Sequence, residues 1–295
     1  MSATPKAEAE GLLGAGHRSR AVGAILVDAG RLTEKDVAEI QAYADSSGML
    51  FGEAGVAMQR ITSADVDFAL ARQFNYPVLP CGSDGVVSED VVAAYQPQCD
   101  VVEDLRTVRS RLVLDWLNRG SPNVLAVISP GSREGRSWFA ANLATVFAQA
   151  GERTLLIDAD MRNPQQHTFF KLSNTVGLSA LLTGRAGKEA VQRVHPDLRL
   201  FVLPAGVSPP NPQELLTRPV LDVVIQRFGT QFDVVILDTP PALGFADAHI
   251  LATRAGSALL LAKRNCTSEV ALHTVLKSLS HSSVKIVGSV INNQV

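Results

Sequence analysis

Four side chains in this chain have the types and spacing to manage a phosphate chain and a divalent cation: Ser137, Asp158, Asp160 and Asp238. Ser137 closes the run Val127-Ile128-Ser129-Pro130-Gly131-Ser132-Arg133-Glu134-Gly135-Arg136-Ser137, which reads as a strand, a Gly-containing turn and a helix start. Such a turn aims backbone N–H groups and a helix N-terminus at one point, which suits an anion. The hydroxyl of Ser137 stands where a phosphate-binding loop puts its Mg²⁺ ligand. Asp158 and Asp160 end the apolar run Leu155-Leu156-Ile157, and Asp238 ends Val234-Val235-Ile236-Leu237. A carboxylate held at a strand tip can organise Mg²⁺ and its waters. The chemistry this implies is that of a nucleoside triphosphate with Mg²⁺.

The loop departs from G-x-x-x-x-G-K-[ST] at two places: Pro130 takes the first Gly position and Arg136 the Lys position. Arg keeps the charge but replaces a compact ammonium with a planar fork. Taken alone, the loop is also readable as a Gly-rich turn that binds nothing, and each acid as a strand-end loop residue. The order of the three segments, with helices between them, favours the nucleotide reading.

The elements that must position these groups follow from periodicity. Strands are expected over 124–128, 154–157, 198–203, 233–237, 257–262 and 284–291. A helix is expected over 137–150, with Phe139, Leu143, Val146 and Phe147 on its buried face and Gly151 as its stop. Asn211-Pro212-Gln213-Glu214 is a helix start, with another helix at 269–279. Near-continuous apolar strands alternating with helices predict an α/β fold, a mostly parallel sheet covered on both faces. Ligands then sit at the C-terminal ends of the strands, where Ser137, Asp158, Asp160 and Asp238 all fall.

Ahead of this lie residues 1–20, expected as a disordered tail, and 21–80, a small mainly helical domain. In the latter Gly23, Leu32, Thr33, Asp36 and Val37 are matched by Gly52, Ile61, Thr62, Asp65 and Val66, each 29 residues on. Each unit reads as short helix, turn and a helix capped by Thr33 or Thr62. Residues 81–100 read as a linker, and 101–295 as the nucleotide-binding domain. Within it, Glu103, Arg106 and Arg109 share one side of an expected helix over 101–117; by spacing alone this is a solvated face.

Composition narrows the function classes. The 295 residues carry a net charge of -2, which gives no footprint for nonspecific nucleic-acid binding, and 46% hydrophobic content supports a sizeable core. Cys81, Cys99 and Cys266 are widely spaced, which fits a reducing compartment and no thiolate metal site. With no apolar run of membrane-spanning length and no signal core, a cytoplasmic protein is expected.

Several motifs carry a family resemblance. Asp158-x-Asp160-x-Arg162, Gly177-Leu178-Ser179-x-x-Leu182-x-Gly184, Leu203-Pro204-Ala205-Gly206, Pro209-Pro210-Asn211-Pro212-x-Glu214-Leu215-Leu216 and Asp238-Thr239-Pro240 resemble the bacterial tyrosine kinases that control capsule and exopolysaccharide export. Glu103-x-x-Arg106-x-x-Arg109 matches that family's ring-forming motif. Residues 21–80 resemble the N-terminal domain of type II secretion and type IV pilus assembly ATPases, closing on Ala71-Arg72-Gln73-Phe74-x-Tyr76-Pro77. The pairing resembles the exosortase-associated chain-length-determinant tyrosine kinases of the EpsG type.

The resemblance implies ATP and Mg²⁺ as ligands. Backbone N–H groups of Ser132, Arg133, Glu134, Gly135, Arg136 and Ser137, with the Arg136 side chain, would hold phosphates. Ser137 would ligate Mg²⁺, with Asp158, Asp160 and Asp238 organising its waters. Asp158 would be the base for the attacking hydroxyl, and Asn292 would read adenine. It implies a homo-oligomer and a separate membrane chain-length regulator as partner, recruiting this chain to the inner membrane. Cyclic di-GMP is a ligand of some front domains of this kind, through paired Arg-Leu-Gly motifs. Here Ala21-Val22-Gly23 and Leu50-Phe51-Gly52 lack the Arg, and Gln59 replaces the second unit's Gly. A helical docking module is the plainer reading. Arg133 stands where most relatives have Gly, and the tyrosine-rich tail is missing. Of Tyr43, Tyr76 and Tyr95, Tyr95 is expected to be the accessible acceptor. Two alternatives remain: a catalytically weak nucleotide-dependent regulator of the same fold, and a partitioning ATPase of the MinD/ParA kind.

Overall fold

A computed structural model describes residues 22–74, 76–79, 87–117 and 123–293. The expected tail, Ala21, Cys81 and the part of the expected linker over 81–86 lie outside the described residues. Two units divide the chain at Tyr76/Pro77.

In the first unit the internal repeat becomes two helix pairs: α1 (Val22–Asp28) and α2 (Glu34–Ser47), then α3 (Phe51–Ala57) and α4 (Ser63–Gln73). Thr33 and Thr62 both form capping boxes. Each hydroxyl accepts from the N–H of Asp36 or Asp65 at 3.2 Å, and each carboxylate accepts the Thr N–H at 2.9 Å. The halves interlock reciprocally: α1 packs on α4 and α2 on α3. Arg31 reaches Asp65 at 3.7 Å, and its counterpart Arg60 reaches Asp36 at 3.2 Å. Gly23 and Gly52 are small for one reason, since a Cβ there would lie 2.9 Å from Val37 and 2.8 Å from Val66. At the turn, Gly30 has φ 68° and Gln59, its substitute, φ 56°.

The second unit is a seven-stranded sheet in the order β3-β4-β2-β5-β1-β6-β7. Its strands are β1 (Val124–Ile128), β2 (Thr154–Asp158), β3 (Gln192–Arg193), β4 (Leu200–Leu203), β5 (Val234–Asp238), β6 (Ser257–Lys263) and β7 (Lys285–Asn292). All pairings are parallel except the short edge strand β3 against β4. β1, β2 and β5 are buried at every position, as their unbroken apolar sequences require. One face of the sheet is covered by α5 (Val92–Tyr95), α6 (Asp100–Asp115) and α7 (Arg136–Gln149). On the other face lie α9 (Leu178–Leu182), α10 (Pro212–Leu216), α11 (Val220–Gln231), α12 (Asp247–Ala255) and α13 (Glu269–Ser280).

The described part of the expected linker is packed. Val87, Val91, Ala93, Ala94 and Tyr95 are buried in the core of this unit. Two buried amides of α7 hold the segment: Asn142 accepts from Ala93 N–H at 3.0 Å and donates to Asp90 C=O at 3.2 Å. Gln149 donates to the carbonyls of Ala93 at 2.7 Å and Pro77 at 3.1 Å. Prolines and glycines around it disguise the segment as a loop, while isolated apolar residues and two distant amides fix it. Tyr95, expected to be accessible, is 9% exposed and its hydroxyl donates to Val87 C=O at 2.6 Å. Tyr43 is the exposed tyrosine, at 41%.

Candidate active site

The site is built where β1, β2 and β5 end. After β1, the loop from Ser129 to Gly135 turns through Arg133 (φ 59°) and Gly135 (φ 92°) before α7 begins. An L residue at φ 59° pays of order 1 kcal/mol that glycine avoids. No side chain caps α7, so its first N–H groups are left to the loop's concave side. The cleft in front has a volume of about 490 Å³ and is lined by Ser132 to Trp138, Asp160, Arg162 and Phe245 among others.

Three ties hold the loop's shape. The Glu134 carboxylate is buried, accepting Gly131 N–H at 2.8 Å and the Thr267 hydroxyl at 2.5 Å. Asn292, at the end of β7, donates its amide to Glu134 C=O at 3.0 Å. That amide nitrogen lies 2.2 Å from where a Cβ on Gly135 would be, so glycine is needed for space as well as for φ. The structure thus places Asn292 as a buttress of the loop.

Arg136 is the third tie. Only 7% exposed, it donates Nε to Thr239 C=O at 2.7 Å and Nη1 to Gly131 C=O at 2.7 Å and to the Ser129 hydroxyl. The planar fork pins the loop to the exit of β5, which a Lys ammonium could not do with the same geometry. Burial lowers its pKa, against the opposing pull of Asp238, Asp160 and Glu134.

Asp158 and Asp238 are register partners on adjacent strands, and both are fully buried. Asp158 Oδ2 accepts from the N–H groups of Gln165 at 3.0 Å and Gln166 at 2.9 Å. Asp238 Oδ2 accepts from Gln166 Nε2 at 2.7 Å. Burial raises both pKa values. The charges of Asp238 and Asp160 push Asp158 higher still, well above the ordinary carboxyl range. Asp238 reaches about 6, held down by Gln166, Arg136 and the Ser137 hydroxyl. Asp160 shapes the turn after β2, accepting from Asn163 N–H at 2.9 Å and Arg162 N–H at 3.2 Å. Arg162 leaves this turn to pair with Asp247 through Nε at 2.7 Å and stacks 3.8 Å over the Phe245 ring.

The Oδ1 atoms of Asp158 and Asp238 are buried without a hydrogen-bond partner. Unpaired buried acceptors call for a donor. The donor set here is all oxygen, which fits Mg²⁺ rather than a softer ion. Among the described residues no three carboxylate, imidazole or thiolate groups cage a metal. A metal held here would therefore draw on the Ser137 hydroxyl, water and phosphate oxygens, as Mg²⁺ does.

Ser137 and Asp160 thus line one cleft with Ser132 to Arg136, while Asp158 and Asp238 are paired at the buried strand tips, Asp238 close to the Ser137 hydroxyl. Glu103, Arg106 and Arg109 lie elsewhere, on α6. Glu103 pairs with Arg106 one turn on, and Arg109 donates to Val146 C=O at 3.2 Å, near the negative end of α7. Residue patterns gave no sign of Gln166, Thr267 or Asp247, which act on the site from outside its motifs.

A family described as an AAA domain matches residues 131–281. The tyrosine-protein kinase YwqD of Bacillus subtilis is 35% identical over 208 residues, 70% of this chain and 87% of YwqD. The putative tyrosine-protein kinase EpsB of Ralstonia solanacearum is 36% identical over 204 residues, 68% of this chain but only 27% of EpsB. The chain therefore spans about a quarter of that longer relative. The solved kinase domain of the Escherichia coli tyrosine kinase ETK superposes with a TM-score of 0.66 at 29% identity, covering 69% of this chain and 79% of that one. With its cleft, its paired strand-tip carboxylates and these relatives, the chain belongs to the bacterial tyrosine-kinase family.

Proposed function

We propose that this chain binds ATP with Mg²⁺ in the cleft over 132–137 and transfers a phosphoryl group to a tyrosine hydroxyl. The observation carrying this is the meeting of an uncapped helix N-terminus with two buried carboxylates, each keeping one unpartnered oxygen. When bound, Mg²⁺ supplies charge neutralisation for the phosphates. The chain's own groups do the rest. The loop N–H groups orient the phosphates, the Ser137 hydroxyl faces the cation, and Asp158 Oδ1 receives the acceptor's proton. Burial and the neighbouring Asp238 raise the pKa of Asp158, which favours proton uptake.

The EpsB name, and the motifs shared with export kinases, support a role in exopolysaccharide polymerisation, chain length and export, as a cytoplasmic partner of a membrane chain-length regulator. No described helix is long and apolar enough to cross a membrane. The front repeat supports the EpsG-type and secretion-ATPase-like reading, without a commitment to cyclic di-GMP. Glu103, Arg106 and Arg109 are proposed to pair between copies in a ring. Light scattering of Arg106→Ala/Arg109→Ala should give smaller particles than the parent; equal sizes refute the ring motif.

One observation favours a second reading, a nucleotide-dependent regulator without transfer. Arg136 makes two hydrogen bonds to the loop itself and one to the exit of β5, and Arg133 strains the loop. The deciding experiment incubates the protein with ATP and Mg²⁺, with and without the regulator's cytoplasmic segment, and maps phosphosites by mass spectrometry. Phosphotyrosine on the partner or on Tyr43 supports the kinase. Nucleotide binding with none anywhere supports the regulator.

A further inference from the structure

We propose that Gln166 is a positioning residue for the metal site, holding Asp158, Asp238 and Ser137 in register and presenting its own carbonyl oxygen to a metal-bound water. This rests on the reading that the cleft takes a nucleotide with Mg²⁺.

Gln166 opens α8 (Gln166–Phe169), directly after the turn that follows β2. It is 0% exposed. A side-chain amide carries two donor hydrogens and an acceptor, so full burial demands partners on both sides. The nitrogen side is satisfied twice over. Nε2 donates to Asp238 Oδ2 at 2.7 Å and to Ser137 C=O at 3.0 Å. Both partners are acceptors, so the amide cannot be flipped without facing oxygen to oxygen. The main-chain N–H of the same residue donates to Asp158 Oδ2 at 2.9 Å. One residue therefore touches the tips of β2 and β5 and the head of the loop helix.

That arrangement leaves Oε1 of Gln166 buried without a partner, alongside Oδ1 of Asp158 and Oδ1 of Asp238. The residues bearing these three lone acceptors are joined to one another by the bonds just described. Another acceptor would satisfy none of them. Each needs a donor, and water on a hard cation would supply one, because Mg²⁺ keeps several of its waters when bound. Outer residues of this kind orient the inner ligands and set metal affinity. Ordinary buried water is the competing occupant.

The test is calorimetry of ADP binding to the full chain, in EDTA and across a Mg²⁺ titration, for the parent, Gln166→Met and Gln166→Glu. Met keeps the length of the side chain and removes both polar ends. The expected result is ADP affinity unchanged in EDTA, with the Mg²⁺ concentration for half-maximal enhancement raised roughly 10- to 100-fold. A Mg²⁺ midpoint equal to the parent's overturns the proposal and leaves the pocket to ordinary water. An equal loss with and without Mg²⁺ also overturns it, marking Gln166 as scaffold alone. If Gln166→Met does not fold, Gln166→Glu, isosteric but with a carboxylate oxygen in place of the donor, is expected to move the Mg²⁺ midpoint at least roughly tenfold in either direction, and a midpoint equal to the parent's overturns the proposal in the same way. If the parent shows no Mg²⁺-dependent gain, the nucleotide reading itself fails, and this inference with it.

Discussion

At the scale of the residue, the site holds acids where burial disfavours their charge. Asp238 titrates near 3.8 in an unfolded chain and at about 6 in the folded one. Between these values the folded state holds a proton that the unfolded state has released. Its protonation therefore favours folding most at low pH, and that contribution is lost as pH rises through about 6. Asp158, raised in the same direction, adds to the effect. Asp238→Asn should accordingly raise the melting temperature of the metal-free protein at about pH 8 and leave it nearly unchanged at about pH 4. Equal shifts at both pH values would remove the charge explanation. Arg133 is the second strained residue. Arg133→Gly should stabilise the protein by up to about 1 kcal/mol in denaturant titration, because the left-handed backbone is kept and its penalty removed. If nucleotide affinity falls at the same time, the guanidinium also reaches the phosphates.

At the scale of the element, the loop is shaped from outside itself. β5 holds it through Arg136, β7 through Asn292 and the turn after β6 through Glu134 and Thr267. Gly135→Ala drives a methyl group into the Asn292 amide, which must move, and strains a φ of 92°. ADP affinity should fall at least tenfold by calorimetry with far-UV dichroism unchanged; preserved affinity would show that the loop tolerates a shift of this buttress. These contacts also mark what the sequence could and could not reveal. Strands β2 and β5 were legible because unbroken apolar runs ending in Asp have one common use in an open parallel sheet, and β1 because its apolar run leads into a Gly-containing turn and a helix start. The 29-residue repeat was legible down to its capping threonines. Gln166, Thr267 and Asp247 were not, because each acts through a partner 29 to 133 residues away and carries no spacing signature. The edge strand β3 has two residues and no period to detect.

At the scale of the whole molecule, the segment held by Asn142 and Gln149 decides where the chain can be divided. The first of the family-like motifs opens at Glu103, and a fragment starting at residue 100 would look complete by motif. It would lack Val87, Val91 and Tyr95 from the core, leave Asn142 Oδ1 without Ala93 N–H, and remove the bonds of Gln149 to Ala93 C=O and Pro77 C=O. An orphaned buried amide costs about 1–3 kcal/mol, before any loss of apolar contact. A fragment of residues 100–295 should therefore melt well below one of residues 77–295, and bind ADP more weakly, since both amides sit on the helix that the loop opens. Equal melting temperatures would mean that the segment is ornament. Otherwise the excision point for a stable unit is Pro77, and the short stretch before the first family motif is a plank of the hull rather than a rope tied to it.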